Sequence, residues 1–220
     1  MQSPIKLYQQ AFTGLPKNIW LLSLVMLINR SGTMVLAFLT LYCTQYLHQT
    51  PKLAGFAIAV YGLGSILGAY FGGRLSDKFG YHFVQVSGLI GGGVFFILAP
   101  FAQNFHLFLL IIFRLAAVNE SFRPANTAAI AANSTPEIRT RSFALLRLAM
   151  NLGWSVGTFL GGILSHYDYK LLFYVDGCTS IFAGLIMLTL KFKTAEIHKN
   201  HSEGAKEEIS PLKNQPFVYF

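Results

Sequence analysis

The sequence predicts an all-α membrane protein with six transmembrane helices, and three observations predict it. Of the 220 residues, 53% are hydrophobic and only 12% charged, about half the charged share of a soluble domain. The mean hydropathy is +0.48. The apolar residues gather into six runs of roughly 20 residues, the length that crosses a bilayer as a helix, and the basic residues collect mostly in the gaps between them. The same distribution excludes a nucleic-acid surface. The net charge of +8 is spread over those gaps rather than gathered in one patch with interleaved aromatics.

Residues 19–47 form the first run. Arg30 lies inside it beside Asn29, roughly 16 Å deep at about 1.5 Å per residue. A guanidinium at that depth needs a water-filled cavity or a polar partner. Residues 54–76 form the second run. Its end merges into Gly73-Arg74-Leu75-Ser76-Asp77-Lys78-Phe79-Gly80, which reads as a tight charged turn at the membrane surface. In that turn Gly73 suits the close approach of another helix, Gly80 suits a positive φ, and Asp77 and Lys78 suit capping or pairing at a gate. Residues 83–101 form the third run, with Gly91-Gly92-Gly93 read as helix packing.

The fourth run, residues 107–132, carries Arg114, Glu120, Arg123 and Pro124. Arg114 sits roughly 10 Å or more from the nearer surface by the same rise and needs a cavity or partner too. Glu120, three residues before Arg123, is the only carboxylate deep in this run. It is either a proton carrier or half of a structural ion pair with Arg123 or Arg147. Pro124 predicts a kink that frees backbone carbonyls. The fifth run, residues 142–165, puts Gly153, Gly157 and Gly161 at i, i+4 and i+8 beside Gly162, a flat face for helix packing. Asn151 joins the polar candidates for the cavity. The sixth run, residues 171–190, contains Asp176, expected as a mouth residue or helix-start charge.

The gaps orient the chain. Lys6, Lys17, Arg74, Lys78, Arg139, Arg141, Lys191 and Lys193 fall on one side, against Lys52 and Lys170 on the other, so both termini are expected in the cytoplasm. Residues 1–18 read as a cytoplasmic segment without a cleaved signal peptide. Residues 191–213 read as a polar tail or linker. Residues 214–220 turn apolar again, as the start of a seventh span or an amphipathic stub.

Enzyme chemistry finds no support. The six histidines have no metal-ligand spacing, no phosphate-binding glycine loop with Lys-Ser/Thr is present, and Cys43 and Cys178 lie isolated in apolar runs. Neither metal nor cofactor is expected.

The stretch from Gly73 to His82 resembles the loop between helices two and three of the major facilitator superfamily, Gly-x-Leu-x-Asp-(Arg/Lys)-x-Gly-(Arg/Lys)-(Arg/Lys). Gly73, Leu75, Asp77, Lys78 and Gly80 match, and Tyr81 and His82 replace the final basic pair. Gly153 to Gly162 resembles the fifth-helix signature of that superfamily's antiporters, with Thr158 in place of proline. Arg114 resembles the fourth-helix arginine of its proton-coupled exporters. Phe122-Arg123-Pro124-Ala125-Asn126 is similar to the fourth helix of the proton-coupled oligopeptide transporters, whose first-helix carboxylates are absent here.

The resemblance implies two inverted three-helix repeats, half of a twelve-helix fold, completed by a second bundle that is either a C-terminal half or another copy of the chain. It further implies a proton-coupled exporter of drugs or other small molecules in a bacterial plasma membrane. Glu120, Arg114, Arg30, Asn29, Asn151 and Arg123 would line its cavity. The alternatives are a peptide or amino-acid symporter, and a non-transporting half or membrane interaction protein.

Overall fold

The computed structural model describes residues 12–190. The expectations for residues 1–11, for the polar tail 191–213 and for the apolar end 214–220 lie outside them. Six helices are long and apolar enough to cross a membrane: Lys17–Tyr46, Pro51–Phe79, Tyr81–Phe101, Phe105–Ala132, Pro136–Tyr167 and Tyr169–Thr189, here spans 1 to 6. No strand occurs among the described residues.

Local chemistry sets the ends. Thr50 accepts from the Leu53 amide before Pro51 opens span 2, Asn104 accepts from the Leu107 amide at 2.8 Å before span 4, and Asp168 accepts from the Lys170 amide at 2.9 Å before span 6.

One expectation needs correction. The stretch from Gly73 to Phe79 is not a turn; it forms the last two turns of the span 2 helix, which runs to Phe79. Gly80, at φ 86°, is the single residue between spans 2 and 3 and reverses the chain alone, a conformation that glycine adopts without a Cβ penalty. Asp168 is likewise the single residue between spans 5 and 6.

The most extensive packing joins span 3 to span 6, span 2 to the first part of span 4, and span 1 to span 5. Exchanging residues of spans 1–3 for 4–6 maps the 1–5 contact onto 4–2 and the 3–6 contact onto itself. That is the pattern of two three-helix repeats in one bundle.

The inside and outside are those of a protein dissolved in lipid. Trp20, Phe56, Leu63, Ile66, Phe83 and Phe159 are exposed, while Asn29, Arg30, Gln85, Asn119, Glu120, Asn126 and Asp176 are buried. Two apolar clusters make up the core. One gathers Leu39, Tyr42, Phe108 and Phe173, and the other Ile19, Leu22, Phe122 and Ile130. The chain is an integral, multi-pass membrane protein.

Candidate functional site

Spans 1 and 4 both break midway. Span 1 is helical over Lys17–Ser31, interrupted at Gly32 and Thr33, and resumes at Met34–Leu41. Span 4 is helical over Phe105–Glu120, interrupted at Ser121, and resumes at Phe122–Ala132. The cause in span 4 is Pro124, which has no amide to bond the Glu120 carbonyl four residues earlier. In span 1 the break lies against span 6. A Cβ on Gly32 would lie 2.0 Å from Thr179 Oγ1, so any larger residue forces that side chain to move.

The sequences at the breaks correspond. Asn29-Arg30-Ser31 leads into the break of span 1, and Asn119-Glu120-Ser121 runs into that of span 4. Ser31 Oγ donates to the Leu27 carbonyl at 2.9 Å and Ser121 Oγ to the Val118 carbonyl at 2.6 Å. The two charges are opposite and meet. Arg30 Nη1 lies 3.3 Å from Glu120 Oε1, and Nη2 3.5 Å from Oε2. Arg123 Nη1 adds a second pair at 3.5 Å to Oε2, with its side chain 54% exposed against 8% for Glu120. Glu120 is thus clasped by two guanidiniums, one buried and one open to the surroundings. Arg30 Nε and the buried Tyr61 hydroxyl have no partner among the described residues.

The other expected residues divide. Asn29 Nδ2 donates to Ser180 Oγ on span 6 at 3.4 Å, one residue from the cluster. Arg114 and Asn151 are exposed and make no side-chain hydrogen bond or ion pair among the described residues. Helical phase separates them: Arg114 shares a stripe with exposed Leu107 and Leu110, away from Glu120. Asp77 and Lys78 are exposed at the end of span 2, with Lys78 Nζ 5.2 Å from the Phe79 ring centroid.

Gly153, Gly157 and Gly161 lie against span 1. Added Cβ atoms would stand 2.7 Å from Arg30 Cβ, 2.8 Å from the Ser31 carbonyl and 2.7 Å from the Phe38 ring, whereas Gly162 meets only Phe38 at 3.9 Å. Gly73 does not admit a neighbouring helix within this bundle: an added Cβ meets nothing within 4 Å. Gly72 does so instead. With Gly64 and Gly68 it lies against span 4, where added Cβ atoms would stand 2.5, 2.3 and 2.6 Å from the Phe113 carbonyl, the Ala117 carbonyl and Ser121 Cα. Each break is therefore backed by a glycine triplet at i, i+4 and i+8, on span 5 for span 1 and on span 2 for span 4.

Sequence reasoning missed two further features. Asp176 is a helix-start charge, but not for its own span. Fully buried on span 6, it accepts from the Met34 amide at 3.1 Å and the Val35 amide at 2.8 Å, capping the resumed helix of span 1. Gln85 on span 3 and Asn126 on span 4 form a buried amide pair at 2.9 Å. A glycine triplet in span 2 and a repeated Asn-x-Ser were the signals available for the rest.

The two repeats of the bundle thus meet at a buried ion cluster where their two broken helices come together. The family model of the Major Facilitator Superfamily matches residues 19–220, and the chain belongs to that superfamily, a family of transporters and not of enzymes. It is 31% identical over 180 residues to YuxJ of Bacillus subtilis, an uncharacterized transporter of this type, covering 80% of this chain and 45% of that one. It is 28% identical over 197 residues to the multidrug resistance protein MdtG of Proteus mirabilis, covering 86% and 48%. It is 29% identical over 175 residues to a Na(+), Li(+), K(+)/H(+) antiporter of Planococcus maritimus, covering 77% and 40%. The chain spans less than half the length of these relatives.

Proposed function

We propose that the chain forms the N-terminal half of a proton-coupled transporter that exports small molecules by alternating access. The observation that carries this reading is Glu120 clasped between Arg30 and Arg123 where spans 1 and 4 both break. Protonating Glu120 removes the charge that joins the two segments' ends and leaves two guanidiniums to find other partners. A charge change at paired breaks is a local event that biases how the helices on either side are held. The multidrug-resistance and H(+)-antiporter relatives support export and proton coupling. A second six-helix bundle, a C-terminal half or another copy, supplies the opposite wall. Asp77 and Lys78 at the cytoplasmic end of span 2 serve the inner gate, and the Lys/Arg bias puts both termini in the cytoplasm of a bacterium's plasma membrane.

The test is proton flux in vesicles carrying the chain with its second bundle. Glu120→Gln should abolish substrate-driven proton movement; normal, coupled transport by that variant would overturn the assignment.

A second reading, proton-coupled symport of a peptide or amino acid, is favoured by one observation: the cluster holds two guanidiniums for one carboxylate. That excess suits a substrate carboxylate taking the place of a protonated Glu120. Acid-stimulated uptake of a labelled dipeptide into proteoliposomes would decide for it over export.

A further inference from the structure

We propose that a basic cleft at the start of span 5 is the docking site of the chain's own acidic segment, residues 203–208. Arg139, Thr140, Phe143, Ala144 and Arg147 line a cleft of about 500 Å³. Arg139 and Arg147 are both exposed, and neither has a hydrogen bond or ion pair among the described residues. The other charged groups of this helix start are engaged elsewhere: Glu137 with Thr135, and Arg141 with the Thr13 carbonyl. Two free guanidiniums thus flank an apolar floor made by Phe143 and Ala144.

The complement is in the same chain. Of its nine acidic residues, Glu196, Glu203, Glu207 and Glu208 follow span 6, and three of these fall within six positions. Spans 5 and 6 run antiparallel, so span 6 ends at the end of the bundle where span 5 starts. The 13 residues from Leu190 to Glu203 reach up to about 45 Å at the roughly 3.3–3.6 Å per residue of an extended chain, enough to cross that end of the bundle. Tethering raises the segment's local concentration to the order of mM. Arg139 and Arg147, eight residues apart, stand about 12 Å apart along the helix axis. That separation fits two carboxylates on one peptide better than the single phosphate of a lipid headgroup.

The experiment uses the full chain in phosphatidylcholine nanodiscs, with Cys43 and Cys178 replaced by serine and cysteines placed by Thr140→Cys and Ala205→Cys. Mild oxidation should join the pair. The rate should fall about fivefold with Arg139→Gln/Arg147→Gln, on the scale of two exposed ion pairs, and recover with Arg139→Lys/Arg147→Lys. Hydrogen exchange on the chain with its native cysteines supplies a second measurement: amides 203–208 should exchange faster once both arginines are glutamine. An unchanged cross-linking rate or unchanged exchange in the glutamine variant overturns the proposal. So does loss of the cross-link in phosphatidylglycerol nanodiscs at the same salt, which would assign the cleft to lipid headgroups.

Discussion

Asp176 on span 6 receives the Met34 amide of span 1 at 3.1 Å, and through it holds the resumed half of a broken helix whose other half carries Arg30 in its last turn. The carboxylate also takes the Val35 amide, so one side chain caps the new helix start across a span-to-span contact. Asp176→Ala removes both acceptors from a buried site. It should destabilise the bundle by about 3 kcal/mol, at the scale of buried amide donors left without an acceptor. Asp176→Asn, which keeps one acceptor oxygen, should lose less. Denaturant titration of both variants in detergent micelles measures the difference.

The glycine contacts give an opposed pair of expectations. A Cβ at Gly68 would sit 2.3 Å from the Ala117 carbonyl, a backbone atom that cannot swing aside, while Gly73 has nothing within 4 Å. Gly68→Ala should cost roughly 1–3 kcal/mol through forced separation of spans 2 and 4. Gly73→Ala, inside the same helix, should be neutral or stabilise by up to about 1 kcal/mol. Thermal unfolding of the two variants side by side checks both signs.

The Arg30–Glu120 pair should show strong coupling in a double-mutant cycle. Glu120→Gln alone leaves the Arg30 guanidinium in a buried site and should cost about 3–5 kcal/mol; Arg30→Gln, after which Glu120 keeps Arg123 at 3.5 Å, should cost less. Changing both residues to glutamine should cost less than the sum of the two by 1 kcal/mol or more. Chemical denaturation of the four proteins supplies the cycle, and strict additivity would mean that the two groups do not act as a pair.

Pro124 sets the break in span 4, four residues beyond the Glu120 carbonyl. Pro124→Ala should restore the missing helical bond and straighten the span, drawing Glu120 from Arg30. Spin labels placed at Leu107 and Ala131 should move apart in the variant, with the distance distribution read by pulsed electron resonance.

The six spans were legible because an apolar run of about 20 residues has few other uses. Their ends were not. Pro136 to Arg141 and Asp77 to Phe79 continue helices past the apolar windows, since hydropathy reports lipid contact and not backbone hydrogen bonding. Arg30, Glu120 and Arg123 stood out as charges in apolar runs, and the structure joins all three. Arg114 stood out for the same reason, yet helical phase turns it away from them. Asp176 could not be assigned from sequence, because its partners are two backbone amides more than 140 positions away. The correspondence of Asn29-Arg30-Ser31 with Asn119-Glu120-Ser121 was visible but hidden by the reversed sign of the middle residue.

The single-residue joints at Gly80 and Asp168 bear on how the protein is made. Each repeat consists of one broken helix followed by a hairpin too tight to thread one arm at a time, so the arms of each hairpin must enter the bilayer together. The broken helix has no such companion. Span 1 leaves the ribosome with Arg30, and Glu120 follows 90 residues later, a delay of roughly 5–20 s at ordinary rates of synthesis. Throughout that interval a lone guanidinium sits in a segment whose insertion it opposes by about 2.5–3.5 kcal/mol. Delivery of the second repeat therefore also completes the membrane integration of the first.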